Sequence, residues 1–158
     1  QGKALYLGIS RWPLEALKLA DRYLRERDVP LLIYQGRLNM IDRAPQEEGI
    51  LDYCHEHGIG FISFSPLAQG LLTDRYLNGI PADSRMAKER SLKHAALTPD
   101  LLGRLRQWNA QAAERDETLA EMALAWILHQ KGVTSVLVGA SSTAQLEKNM
   151  KCVHAKAF

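Results

Sequence analysis

Four short apolar runs separated by helical patterns constrain this chain more than any other feature. They are Ala4-Leu5-Tyr6-Leu7-Gly8-Ile9, Leu31-Leu32-Ile33-Tyr34, Gly60-Phe61-Ile62-Ser63-Phe64 and Ser135-Val136-Leu137-Val138, and they are nearly continuous in apolar residues. Strands that read this way are buried on both faces, as in a parallel sheet flanked by helices. The runs begin near residues 4, 31, 60 and 135, at intervals of 27, 29 and 75. Each of the first two intervals holds one β/α unit. The third is longer because an insertion of roughly 45 residues follows the third strand.

Helical patterns fill the intervals. Pro13 to Arg25 places Leu14, Leu17, Ala20 and Leu24 on one stripe, with Pro13 suited to a first turn. Gln46 to His57 carries Ile50, Leu51 and Cys54 behind an acidic start at Glu47-Glu48, and Gly58 reads as its stop. Thr98-Pro99 opens a third helix as N-cap and first helical residue, continued by Leu101, Leu102, Leu105 and Trp108. Thr118-Leu119-Ala120-Glu121 is a capping box that starts a fourth. A last helix is expected from about Ser142 to Val153. Within the insert at about 74–98, the polar stretch from Asn78 to Thr98 reads as a long loop, either a functional lid or a disordered excursion.

The order is β-α-β-α-β-(insert)-α-α-β-α, which leaves a doubly wound sheet or a (β/α)8 barrel. The chain has neither the glycine fingerprint of a dinucleotide-binding turn nor a Walker A loop, and Gly58-Ile59-Gly60 precedes a strand rather than following one. Four β/α units are half of a barrel. A four-stranded parallel sheet alone leaves two open edges.

Composition narrows the functional classes. Lysine plus arginine is 20 and aspartate plus glutamate 18 in 158 residues, a net charge of +2 that gives no electrostatic case for nucleic acid or an acidic membrane. No apolar run approaches the ~20 residues of a membrane span. Gln1 opens the chain without a start methionine, a charged n-region or an apolar h-region, so no secretory signal is expected. The two cysteines, Cys54 and Cys152, have no framework spacing and suit free thiols in the cytoplasm, although one bridge between them stays open. Cys54-His55-Glu56-His57 lies at a helix end with Cys54 and His57 alone on one face, so no metal site is expected.

In both architectures ligands bind at the carboxyl ends of the strands. The residues found there are Ser10-Arg11-Trp12, Gln35-Gly36-Arg37-Leu38-Asn39, Ser65 to Leu72, and Gly139-Ala140-Ser141-Ser142. Small hydroxyls, amides and glycines recur, which favours holding a polar ligand over acid–base work. Taken singly they cap helices; four in series at one end of a sheet point to a site. Gly139-Ala140-Ser141 leads into a helix N-terminus, which attracts phosphate. Arg75 and Arg85 stand in the insert, either as a charge clamp on the same anion or as solvated surface charges.

At this point the motifs resemble a family. Tyr6-Leu7-Gly8-Ile9-Ser10-Arg11-Trp12, Gln35, Phe64-Ser65-Pro66-Leu67-Ala68-Gln69-Gly70-Leu71-Leu72-Thr73 and Val138-Gly139-Ala140-Ser141…Gln145-Leu146…Asn149 are similar to the aldo-keto reductases. Within them they resemble the branch of the potassium channel beta subunits and bacterial L-glyceraldehyde 3-phosphate reductases, and Tyr76-Leu77-Asn78-Gly79-Ile80-Pro81…Asp83-Ser84-Arg85-Met86 strengthens the bacterial side. The resemblance covers essentially the whole chain, but only strands five to eight of the family's (β/α)8 TIM barrel. It implies a C-terminal half-barrel, residues 1–158, that binds NADP(H).

The resemblance also implies residue roles. Ser10, Arg11 and Gln35 would hold the nicotinamide carboxamide, and Phe64 would stack on its ring. Ser65, Pro66, Leu67, Ala68 and Gly70 would line the pyrophosphate and its covering loop. Arg75 takes the place of a basic residue near the phosphates and Arg85 that of the arginine beside the 2′-phosphate. Gly139 and Ser141 would hold that end, with Gln145 and Asn149 at the adenine. Lys148 stands where the branch usually carries glutamate near the adenine amine; it either attracts the phosphate of NADPH or faces solvent. The family's catalytic aspartate, tyrosine, lysine and histidine come from strands one to four, and no stretch here matches them.

The expected function is therefore NADPH-dependent reduction of small aldehydes or ketones by the complete protein, this half binding the cofactor. The expected partner is the N-terminal half-barrel of the same protein or a second copy of this chain. The rival reading, carried by Ser10-Arg11-Trp12, is a redox-sensing channel-type beta subunit or non-catalytic NADP-binding module.

Overall fold

A computed structural model describes residues 2–84, 86–88, 92–156 and 158. The elements are β1 (Leu7–Ser10), α1 (Leu14–Arg25), β2 (Leu31–Arg37), α2 (Ala44–Glu47), α3 (Ile50–Glu56), β3 (Gly60–Phe64), α4 (Pro99–Glu114), α5 (Leu119–Leu128), β4 (Val133–Val136) and α6 (Thr143–Met150). Short 3-10 turns at Ala68–Gly70, Asp74–Tyr76, His94–Ala96 and Lys151–His154 complete them. The order is the alternation read from the sequence. Two compact units result, Gln1–Pro66 with Ile127–Val138, and Leu67–Trp126 with Gly139–Phe158.

The first unit is built on one parallel sheet in the order β1-β2-β3-β4. Its register sorts the residues by face. Ser10 pairs with Gln35, Gln35 with Ile62 and Arg37 with Phe64, while Tyr34 pairs with Phe61 and Gly36 with Ser63. Side chains alternate along a strand, so Ser10, Gln35, Ile62 and Phe64 share one face and Tyr34, Phe61 and Ser63 the other. The second face is the buried one, and Leu17 of α1, Cys54 of α3 and Phe61 have no exposure. The Tyr34 and Phe61 rings stack with centroids 5.7 Å apart. Gly36 makes that stacking possible, because a Cβ there would lie 2.7 Å from the Phe61 ring.

Four boundaries differ from the sequence expectation. The helix expected over Gln46 to His57 is two helices, broken at Gly49, whose φ of 76° leaves the right-handed helical region. The first strand starts at Leu7 rather than Ala4, and Leu5 and Tyr6 are exposed. The last strand is Val133–Val136, two residues earlier than expected, because Ile62 pairs with Ser135. The last helix ends at Met150 and tightens into the 3-10 turn Lys151–His154.

The second unit packs Leu72, Tyr76, Met86, Leu105, Leu119 and Leu124, each almost fully buried. Its helix starts follow the sequence closely. The Thr98 side chain accepts from the Leu101 N–H. In the capping box, Glu121 Oε2 accepts from the Thr118 N–H at 2.7 Å and Thr118 Oγ1 from the Glu121 N–H at 3.2 Å. Burial acts to raise the Glu121 pKa, but the Thr118 N–H and hydroxyl bonds with Lys151 and Lys148 nearby outweigh it and hold the carboxyl below its usual range. In the stretch expected as a long loop, Ser84, Met86 and Leu92 are buried and most of the other described residues are exposed. Both cysteines are free, buried thiols. Among the described residues no helix is long and apolar enough to cross a membrane.

Candidate functional site

In the first unit the carboxyl ends of β1, β2 and β3 are tied together through backbone groups. The Gln35 carbonyl accepts from the Arg11 N–H at 3.0 Å and from the Ser10 hydroxyl at 3.2 Å. Three residues expected in one role, Ser10, Arg11 and Gln35, are thus in one hydrogen-bonded group, on the end of the sheet that also carries Phe64. The Tyr34 hydroxyl donates to the Trp12 carbonyl at 2.7 Å and fixes the loop after β1 from below. The Ser63 hydroxyl donates to the Leu38 carbonyl at 2.7 Å, tying the loop after β2 to β3.

Of the described non-glycine residues with positive φ, Asp28 and Asp116 follow α1 and α4, and the others follow β1 and β3. Arg11, Ser65, Ala68 and Gln69 have φ of 58°, 51°, 46° and 59°, a left-handed region that non-glycine residues seldom adopt. Each such residue costs about 1–2 kcal/mol, and residues held this way gather at functional sites.

In the second unit, the backbone passes from a φ of −97° at Leu67 to 46° at Ala68. A right-handed residue followed by a left-handed one points successive N–H groups at one spot, a concavity that suits an anion. The Thr73 hydroxyl closes this turn on the Gly70 carbonyl at 2.7 Å and accepts from the Arg75 N–H. The Arg75 guanidinium lies 2.7 Å from Asp83 Oδ2, and this hydrogen bond and charge hold the Asp83 carboxyl below its usual range. An anion at Arg75 therefore competes with an exposed carboxylate. Arg85 lies outside the described residues.

At the start of α6, the Gln145 side-chain oxygen accepts from the Ser141 N–H at 2.8 Å and hydroxyl at 3.0 Å. The Ser142 hydroxyl accepts from the Gln145 N–H as N-cap. Gly139 has open space where a Cβ would stand. Asn149 is 5% exposed, and among the described residues its side-chain nitrogen has no hydrogen-bond partner. A buried donor of this kind costs about 1–3 kcal/mol until an acceptor reaches it. Lys148 lines a basin of about 680 Å³ with Thr118, Glu121 and Lys151.

Sequence reasoning gave no role to Asn39. The structure buries it to 1% exposure between the ends of β2 and β3. Its position among the strand-end residues was visible; its partner 26 residues away was not.

Comparison with known proteins identifies the family. A model of the Aldo/keto reductase family matches residues 1–157. The chain belongs to this family. An L-glyceraldehyde 3-phosphate reductase of Escherichia coli is 46% identical over 161 residues, covering 99% of this chain and 46% of the relative. A probable voltage-gated potassium channel subunit beta of Arabidopsis thaliana is 36% identical, covering 97% of this chain and 48% of the relative. A crystal structure of a thermostable aldo-keto reductase, solved with the inhibitor epalrestat, superposes with a TM-score of 0.70 at 22% identity over 97% of this chain and 44% of that one; it supports the fold alone. The aldo/keto reductase chain described here therefore spans about half the length of the relatives it matches.

Proposed function

We propose that this chain is the cofactor-binding, C-terminal half of an eight-stranded barrel, and that the protein carrying it reduces small aldehydes or ketones with NADPH in the cytoplasm. The observation that carries this reading is the group at the strand ends, in which Ser10, Arg11 and Gln35 are hydrogen-bonded together on the end of the sheet that bears Phe64. NADPH supplies the hydride when bound; the chain's residues bind and orient it.

In this reading Ser10, Arg11 and Gln35 present amide and hydroxyl groups to the carboxamide of the nicotinamide. Phe64 gives its ring an apolar surface, which favours an offset stack and keeps water from one side. The other roles follow the family resemblance. Ser65 and Pro66 lead into the Leu67–Ala68 turn, whose N–H groups suit a pyrophosphate. Arg75, Arg85, Gly139 and Ser141 serve the phosphate ends, and Gln145 and Asn149 the adenine. Lys148 stands beside Glu121, which lessens its pull on a phosphate. The proton that completes the alcohol comes from a catalytic tyrosine in strands one to four of the family's barrel, outside this chain.

Fluorescence titration with NADPH tests the binding claim, and saturable binding that NADH matches only weakly is expected. Absence of binding by both cofactors overturns it. A second reading, a redox-sensing beta subunit, is favoured by the 36% identity to the Arabidopsis protein. Steady-state turnover of glyceraldehyde-type substrates by the full-length protein separates the two, since a sensor turns over very slowly.

A further inference from the structure

Asn39 makes more hydrogen bonds than any local turn needs. Its side-chain oxygen accepts from the N–H groups of Ile41 at 2.9 Å and Asp42 at 2.8 Å, and its own N–H donates to the Asp42 carbonyl at 2.9 Å. Two N–H donors on one oxygen fix which way the amide faces. The nitrogen is left to point away from this turn, and it donates to the Ser65 carbonyl at 3.0 Å. Ser65 is the first residue beyond β3 and holds a φ of 51°. A non-glycine residue stays in that region only where its surroundings over-determine it.

We propose that Asn39 is a positioning residue of the nicotinamide-nucleotide site. It grips the Ser65 carbonyl and keeps the left-handed turn that swings the chain from Phe64 toward Leu67. The side chain is buried and touches no ligand in this role; it acts through Ser65. The inference deepens the cofactor reading above and rests on it for what the turn serves, but the grip on Ser65 stands independently. The Ser63 hydroxyl bond to Leu38 holds the two strand ends together without constraining Ser65, so Asn39 carries the constraint on the turn itself.

Asn39→Asp isolates the grip. The carboxylate still accepts from Ile41 and Asp42, but it presents an acceptor to the Ser65 carbonyl where the amide presented a donor. In the ligand-free chain, the Ser65 Cα and Cβ chemical shifts should move from left-handed toward extended values. In fluorescence titration the NADPH dissociation constant should rise about tenfold. Unchanged Ser65 shifts in the folded variant overturn the proposal. Moved shifts with unchanged NADPH affinity overturn its link to the site. Failure of the unaltered chain to bind NADPH defeats the cofactor reading instead, while the shifts still decide the grip. If Asn39→Asp does not fold, the milder Asn39→Ser is compared in the Ser65 and Ser65→Gly backgrounds by urea unfolding. Glycine accepts a φ of 51° without strain, so the loss on changing Asn39 should shrink beside it; equal losses in both backgrounds overturn the proposal.

Discussion

The Tyr34 hydroxyl lies 2.7 Å from the Trp12 carbonyl oxygen, so a core residue of β2 holds the loop that follows β1. Burial pushes this phenol from 10.0 to about 12. Burial likewise takes Tyr53, aided by its bond to Asp21, and the Cys54 thiol to about 12. The unfolded chain releases these protons at lower pH than the folded one. Stability is therefore fully present below about pH 9 and is lost as pH rises toward 12. Tyr34→Phe should cost about 1 kcal/mol at neutral pH and make the alkaline fall shallower. Urea midpoints measured from neutral to strongly alkaline pH check this; an equally steep fall in the variant refutes it.

Asp21 should be the most sensitive polar residue of the first unit. It is 1% exposed and accepts from Arg25 Nε at 2.8 Å and the Tyr53 hydroxyl at 3.0 Å, with His57 Nδ1 3.2 Å away. Asp21→Asn replaces one acceptor oxygen with a donor facing other donors. A loss of about 2 kcal/mol is expected, a moderate figure because Arg25 is half exposed. Chemical denaturation measures it, and a change near zero would contradict the network's role.

Asn149→Leu should separate stability from binding. Removing a buried nitrogen without a partner should stabilise the free chain by about 1 kcal/mol. The same change should weaken NADPH about tenfold, the worth of one hydrogen bond. Paired melting and titration curves test both halves, and a variant that binds as tightly as the parent removes Asn149 from the adenine site.

Phe64→Ala should loosen the nicotinamide end by roughly 1 kcal/mol of stacking plus lost burial. The comparison of NADPH with its adenosine half is decisive, because only the intact dinucleotide should lose affinity.

Arg85→Ala should weaken NADPH far more than NADH. Equal losses for the two cofactors would show that Arg85 does not reach the 2′-phosphate.

What could be read in the sequence was local. Thr98-Pro99 and the Thr118–Glu121 capping box announce helix starts because cap and partner lie three residues apart. The apolar runs marked the strands of the parallel sheet, although burial alternates along β2 and β3 and only one face is buried rather than the two expected. Strand ends were less legible, since β1 and β4 begin where a neighbouring strand offers a register partner. The break at Gly49 was not read, because the glycine falls between the acidic Glu47-Glu48 and the apolar Ile50-Leu51. Nothing local marks Asp21, whose partner Tyr53 lies 32 residues away on another helix. The site's residue types were visible at the strand ends, but Asn39 gained its role only from a contact 26 residues away.

The left-handed residues Arg11, Ser65, Ala68 and Gln69 have a consequence for anyone engineering this chain. At each, glycine relieves strain, so a selection for heat resistance alone would drift toward glycine at these four places. The turns after β1 and β3 would then relax into a wider range of shapes. A hardier protein obtained that way should grip the nucleotide proposed above less well, and screens that score both properties should keep the strained residues.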